Sequence, residues 1–306
     1  MKYDIAIIGG GPAGMMAAIQ ASKFGARVIL IEKNNAPGVK LLITGKDRCN
    51  ITNDNDNLKD LVSQYGHKGK FLFSSLFAFG TKDVVVFFNE LGIKTKVERE
   101  NRVFPVSDKS QDVLNALLKK LKENKVQIKT NSAVKDIVKK NKIIEKIVLF
   151  NGGEIFADKF IIATGGKSYP ATGSTGDGYL WLKKLGHTIV RPRPALTPII
   201  CKENFIKDLE GLSLKNVEIK LFKDGRETIS EFGDAIFTAK GMSGPIILNL
   251  SKNIVENDGS KYKLIIDFKP ETKGDRMDKR ILANFQEFNN KQFKTHMQNN
   301  IKSNKK

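Results

Sequence analysis

The chain lacks much of what marks several protein classes. Cys49 and Cys201 are the only cysteines among 306 residues. That is too few for a disulfide framework and excludes a small stapled secreted scaffold. The three histidines, His67, His187 and His296, stand in no cluster with metal-ligand spacing, so no metal site is expected. His187 follows Gly186, where a helix is expected to end, and reads as a capping or packing residue. No Gly-x-Ser-x-Gly elbow is present. No apolar run reads as approaching the roughly 18 residues of a membrane span. Asp4 and Gly9-Gly10-Gly11-Pro12 interrupt the apolar start, which argues against a signal peptide. A cytoplasmic protein without a membrane partner is expected.

Acidic residues are also scarce, 33 against 52 basic ones, for a net charge of +19. The excess is 43 Lys with 9 Arg, spread along the whole chain and accompanied by 24 Asn. Nucleic-acid readers favour clustered bases and Arg forks. The pattern therefore reads as a compositional bias rather than a nucleic-acid surface, though it can still steer anionic ligands. Hydrophobic residues at 40% are ample for a packed core and exclude global disorder. The length suggests about two domains.

Tyr3–Ile8 is a short apolar run that meets Gly9-Gly10-Gly11-Pro12-Ala13-Gly14. A helix is expected over Met15–Phe24, ending at Gly25, and a strand over Arg27–Ile31, closed by Glu32. This is a βαβ unit. Leu58–Leu91 reads as mostly helical and Asp108–Glu123 as an amphipathic helix. Strands are expected around Val126–Lys129, Ala133–Val138, Ile143–Phe150 and Lys159–Ala163, then a helix over Thr175–Leu185. The proline-rich stretch Arg191-Pro192-Arg193-Pro194 reads as a boundary. Beyond it, Val217–Phe222 and Glu227–Glu231 flank the hairpin signal Asp224-Gly225, Lys261–Phe268 reads as a strand and Arg276–Phe288 as a helix. No internal repeat is present.

Gly9-x-Gly11-x-x-Gly14 is weak alone, but a strand precedes it, a helix follows and an acid closes the next strand. Gly9 permits the tight turn, Gly11 lets a pyrophosphate approach the backbone, and Gly14 lets helix and strand pack closely. Pro12 and Ala13 begin the helix, whose free N–H groups and dipole favour an anion. A carboxylate at Glu32 can accept from ribose hydroxyls and repels a 2′-phosphate. Glu32→Ala is expected to weaken cofactor binding while changing apoprotein stability little.

The turn does not separate NAD from FAD; later segments do. Phe160-Ile161-Ile162-Ala163-Thr164-Gly165-Gly166 resembles the second signature of two-segment FAD folds. Thr175-Gly176-Asp177-Gly178 resembles the fumarate-reductase and aspartate-oxidase group. With Lys40–Asn53, which contains Thr44-Gly45-Lys46-Asp47-Arg48-Cys49-Asn50, then Arg102-Val103-Phe104-Pro105 and Phe237–Pro245, the chain resembles the BaiN/RdsA-like, or aminoacetone-oxidase-like, flavoproteins from Met1 to about Lys294. The resemblance implies an extended FAD. Glu32 and Lys33 would sit at its adenosine end, and Lys40, Thr44, Arg48, Cys49 and Asn50 along the path to pyrophosphate and flavin. Val134 would meet the adenine through its backbone, and Thr164, Gly165 and Gly166 would pass close by. A fixed Arg48 guanidinium suits a phosphate or flavin edge, or else a surface ion pair. Cys49 has no partner cysteine and reads as a packing residue.

Two departures stand out. The family usually has Gly where Asp47 stands. Family members also continue past this length with a Gly-rich segment against the flavin, so the chain reads as C-terminally truncated, with an under-covered flavin ring.

The expected fold is α/β: a doubly wound, mainly parallel FAD-binding Rossmann-like domain over 1–190, a β-rich inserted domain over 191–270 and a helical stub over 271–306. The leading function is an FAD-dependent oxidoreductase passing hydride through the flavin to or from a small organic substrate. No second Gly-x-Gly-x-x-Gly follows residue 100, so NAD(P)H would visit only transiently. No catalytic base is forced by the sequence, and no oligomeric state is encoded. The alternatives are a truncated flavin-binding fragment with little or no catalysis and an RNA-associated flavoprotein.

Overall fold

In the computed structural model, residues 2–254 and 259–270 are described, and they fall in two compact units, Met1–Arg191 and Pro192–Lys306. The first unit opens with β1 (Lys2–Ile8), α1 (Pro12–Lys23) and β2 (Val28–Ile31). β2 is buried at every position, as suits a strand covered on both faces. β1 alternates between two cores. Ile7 packs with Met15, Ala18 and Ile19 of α1, whereas Ala6 and Ile8 face the opposite core. Met15, Ala18 and Ile19 recur at helical spacing, so one face of α1 covers the strand pair.

A long excursion follows: α2 (Val39–Leu42), β3 (Thr52–Asn53), α3 (Leu58–Ser63), α4 (Phe73–Ala78), α5 (Thr81–Glu90), β4 (Thr95–Glu98), β5 (Arg102–Pro105) and α6 (Ser110–Glu123). β3, β5 and β4 form a small antiparallel sheet. The apolar stripe of α6, Val113, Leu114, Leu117 and Leu121, joins the core beneath α1. Lys68–Glu90 corrects one expectation. An 18-residue window within this 23-residue segment reaches a mean hydropathy of 1.6, apolar and long enough for a membrane span by composition. The Phe-rich sequence raises the average although Lys82 and Asp83 interrupt it. Phe79 (φ −151°, ψ 87°) and Gly80 (φ −92°, ψ −169°) are non-helical and separate α4 from α5. Phe71 and Phe77 are 88% and 78% exposed.

The main sheet is completed by β6 (Gln127–Lys129), β7 (Val134–Lys140), β8 (Ile143–Leu149) and β9 (Glu154–Ile162), in the order β6-β2-β1-β9-β8-β7. β9 lies parallel to β1, with Ile5 opposite Lys159 and Ile8 opposite Ile162. β6, β2, β1 and β9 are the expected parallel set. β8 and β7 are added antiparallel, because connections of a few residues make hairpins and are too short for a crossover. The sheet is therefore mixed. α7 (Asp177–Lys184) presses Trp181 against the core that holds Ala6 and Ile8.

The second unit contains β10 (Ile199–Ile200), β11 (Ser213–Lys223), β12 (Arg226–Thr238), β13 (Gly241–Ser243), α8 (Pro245–Ser251) and β14 (Tyr262–Asp267). Its antiparallel sheet runs β10-β13-β12-β11-β14. Asp224 and Gly225, with φ of 49° and 81°, turn the β11–β12 hairpin, as two positive φ values in a type I′ turn require. Ile219, Leu221, Phe237, Ile247 and Leu250 build a separate core. The expected helix at Arg276–Phe288 and the stub over 271–306 lie outside the described residues.

Candidate functional site

The C-terminal ends of β1, β2 and β9 open onto one cavity of about 580 Å³. Crevices at this edge of a parallel sheet are where such folds take ligands. β1 leads into the turn of Gly9, whose φ is +109° and where an added Cβ would lie 2.5 Å from the Ala163 carbonyl oxygen. A Cβ on Gly14 would lie 1.9 Å from the Gly9 oxygen. These contacts explain two glycines by packing alone. Gly11 is different: a Cβ there would meet nothing within 4 Å of the protein, and Gly11 lines the cavity. α1 begins at Pro12 with no side-chain cap. An uncapped helix start behind a glycine cradle suits an anionic group.

Glu32 is 7% exposed. Its Oε2 accepts from the Gly10 N–H at 2.7 Å, and its Oε1 accepts from the Asn34 N–H at 2.8 Å. The side chain thus ties the phosphate turn to the end of β2. This argues against the expectation that replacing it changes apoprotein stability little, because both oxygens hold backbone within the protein itself.

Gly9, Gly11, Pro12, Ala13, Glu32, Lys33, Lys40, Val134, Thr164 and Gly165 all line the cavity. Gly14 lies beneath it as a packing glycine, and a Cβ on Gly166 would face the Tyr179 hydroxyl at 3.4 Å. Thr44, Arg48, Cys49 and Asn50 are not among the lining residues. The Arg48 guanidinium bonds Glu98 at 2.9 Å and Asp108 at 3.3 Å and stacks 4.1 Å over the Phe104 ring, the ion-pair alternative of the two readings. Hydrogen bonding from Arg48 holds the Glu98 carboxyl below its ordinary range, and Lys96 does the same for Asp108. Cys49 is buried, and burial pushes its thiol up. The Asn50 amide nitrogen, suitably oriented, donates to the Thr52 and Val103 carbonyls at 3.0 and 3.2 Å. Thr44 donates to the Leu41 carbonyl. Asp47, where the family usually has Gly, adopts φ +63°, a conformation Asp tolerates better than most residues.

Besides Val134, the cavity has lining that the sequence reading did not assign. Ser132, Ala133, Lys135 and Phe150 flank one side, and Thr172–Thr175, Asp177, Leu180 and Trp181 another. The Thr-Gly-Asp-Gly segment carried the signal for the second wall, since a helix start following Thr164–Gly165 points α7 at the same crevice. Burial draws the Lys40 ammonium down. Asp177 is pushed up by burial, but donation from Thr175 and Lys33 leaves it below its ordinary value. Among the described residues, no three His, Cys, Asp or Glu gather as a metal cluster.

A parallel β1–β2–β9 core, the glycine cradle and the acid closing β2 together define a Rossmann-type dinucleotide-binding domain. Residues 3–274 match the family described as HI0933-like protein Rossmann domain, and the chain belongs to that family. It is 32% identical over 282 residues to the 3-dehydro-bile acid delta(4,6)-reductase of Clostridium scindens, covering 90% of this chain and 66% of that protein. It is 28% identical over 271 residues to the ribosomal RNA dihydrouridine synthase of Escherichia coli, covering 89% and 66%. The chain therefore spans just under two thirds of the length of these two relatives. Among solved structures, the open conformation of a flavocytochrome c3 fumarate reductase aligns with a TM-score of 0.52 and 19% identity, over 70% of this chain and 47% of that one. The 3-ketosteroid-delta4-(5alpha)-dehydrogenase from Rhodococcus jostii aligns with 0.52 and 14%, over 70% and 59%. These two likenesses concern the fold.

Proposed function

We propose that the chain binds FAD in the cavity at the ends of β1, β2 and β9 and serves an oxidoreductase that passes hydride to or from a small organic substrate. The observation that carries the reading is the open Gly11 position beside the uncapped start of α1, with Glu32 buttressing the turn behind it. Bound FAD would supply the hydride chemistry; the protein's part is to hold and orient it. Backbone N–H groups at the start of α1 would take the pyrophosphate. Lys33 and Lys40 add positive charge to the lining, while Trp181, Leu180 and Phe150 add apolar surface. NAD(P)H is proposed only as a transient visitor to the flavin.

The test is the absorbance of purified protein, reconstituted with FAD and desalted. Retained bands at about 370 and 450 nm, bleached by anaerobic NADH or NADPH, support the proposal. A desalted protein without flavin refutes it.

A second reading, a flavoprotein that works on RNA, draws on the net charge of +19 and on the E. coli relative. Salt-sensitive binding of ribosomal RNA fragments, with a steep logarithmic slope, would favour it.

A further inference from the structure

The wall made by residues 165–177 has little regular structure of its own. It holds one short 3-10 turn, Pro170–Thr172, and is bent by Tyr169, Gly173 and Gly176 with φ of 53°, 101° and 84°. Three side chains from the eight-residue stretch 33–40 reach across to it. Lys40 Nζ donates to the Ser168 carbonyl at 2.7 Å, and Asn34 Nδ2 to the Thr172 carbonyl at 3.1 Å. Lys33 Nζ donates to Thr175 Oγ1 at 2.6 Å and to Asp177 Oδ2 at 3.0 Å. The fit is close: a Cβ on Gly173 would lie 2.7 Å from Asn34 Nδ2. Lys33, Asn34, Lys40, Thr172, Thr175 and Asp177 all line the cavity, so the tethers run along its rim.

We propose that Lys33, Asn34 and Lys40 are positioning residues that clasp the 165–177 wall to the β2–α2 connection and thereby set how fast a dinucleotide leaves. The inference rests on the proposed FAD reading. A molecule filling the cavity is bounded by this wall, and on this proposal the wall lifts as the molecule leaves. Each tether is a polar bond whose partner is protein; Lys40 and Asn34 reach backbone carbonyls, whereas the Lys33–Asp177 tether has a side chain at both ends and can be loosened from either. A group that served the cofactor directly would behave otherwise: removing its protein partner would leave it free to bind.

The test is a series of single variants, Lys33→Met, Asn34→Ala and Asp177→Asn, with two readouts. In the apoprotein, trypsin cleavage after the exposed Lys167 within the wall should accelerate in all three variants while the thermal midpoint stays near wild type. In the reconstituted protein, FAD release into excess apoprotein trap should quicken about tenfold in each, the loss of roughly one hydrogen bond. Lys33→Met and Asp177→Asn combined should release no faster than Lys33→Met alone, since Lys33→Met already removes the contact to Asp177 together with that to Thr175. Faster release in Lys33→Met with unchanged Asp177→Asn and Asn34→Ala would overturn the clasp and make Lys33 a direct ligand. Unchanged cleavage and release in all three would also overturn it. A wild-type protein that retains no FAD fails the functional reading, and unaltered cleavage after Lys167 would then reject the clasp as well.

Discussion

Glu32 offers the sharpest perturbation, because a single carboxylate fastens two backbone segments. Replacing it with Ala removes the acceptors for the Gly10 and Asn34 N–H groups. A hydrogen bond to a charged group contributes about 1.5–3 kcal/mol, and a buried donor left without a partner costs about 1–3 kcal/mol. Gly10 is buried and Asn34 half-buried, so only the first donor bears the full penalty. Overlap between the two bonds brings the expected loss to about 3 kcal/mol of apoprotein stability. Glu32→Gln keeps one accepting oxygen but turns an NH2 toward the other N–H, and about half of that loss is expected. Urea unfolding of the apoprotein, followed by far-UV circular dichroism, measures both; the midpoint should fall without a change in slope. FAD affinity should fall by about 1–3 kcal/mol in addition. An apoprotein of Glu32→Ala within about 0.5 kcal/mol of wild type would refute the buttress argument.

Gly14→Ala should cost about 3 kcal/mol, since its methyl would overlap the Gly9 carbonyl; an unchanged melting curve would contradict the packing at the turn. Asp108→Asn tests the Arg48–Glu98–Lys96–Asp108 cluster. Its carboxyls titrate below their ordinary values of 4.5 and 3.8, so their stabilisation is complete above the unfolded values and is lost as pH falls through the folded ones. The stability gap between wild type and Asp108→Asn should be present at neutral pH and close in acid; a pH-independent gap would reject the assignment. Trp181, the single tryptophan, lines the cavity, and its emission should fall as FAD is added; unquenched emission at saturating FAD would move the ligand elsewhere. Burial raises both thiols, but Cys49 is the more deeply buried. Ellman's reagent should therefore modify Cys201 first in native protein, and equal rates would count against the packing around Cys49.

Local signals carried the first βαβ unit, because glycine spacing, helix start and closing acid all fall within thirty residues and each has its own mechanical reason. The same holds for α6, whose leucines keep helical period, and for the Asp224-Gly225 hairpin. Segments whose place depends on distant partners were harder. Lys40 through Asn50 read as one path along the cofactor, yet only Lys40 reaches the cavity lining. Arg48 finds carboxylates at 98 and 108, and no pattern near residue 48 announces them. The wall at 172–177 has the opposite history. Its motif was visible, but its nearness to Lys33 and Asn34 depends on β9 lying beside β1, a pairing set by the whole sheet. Glu32 shows a third limit, since position at a strand end gives a carboxylate's address and not which donors it already serves.

The strand order has a consequence for how the chain is made. β1 is synthesised before both of its neighbours, yet it is a central strand, and its neighbour β9 begins about 150 residues later at Glu154. At synthesis rates of about 5–20 residues per second, the second edge of β1 waits about 8–30 s for its partner. During that interval the apolar run Ile5–Ile8 can pair with β2 but presents its other side to any extended segment nearby. Slower translation lengthens that wait, and chaperones that shield extended apolar strands should matter most for the opening residues of this chain.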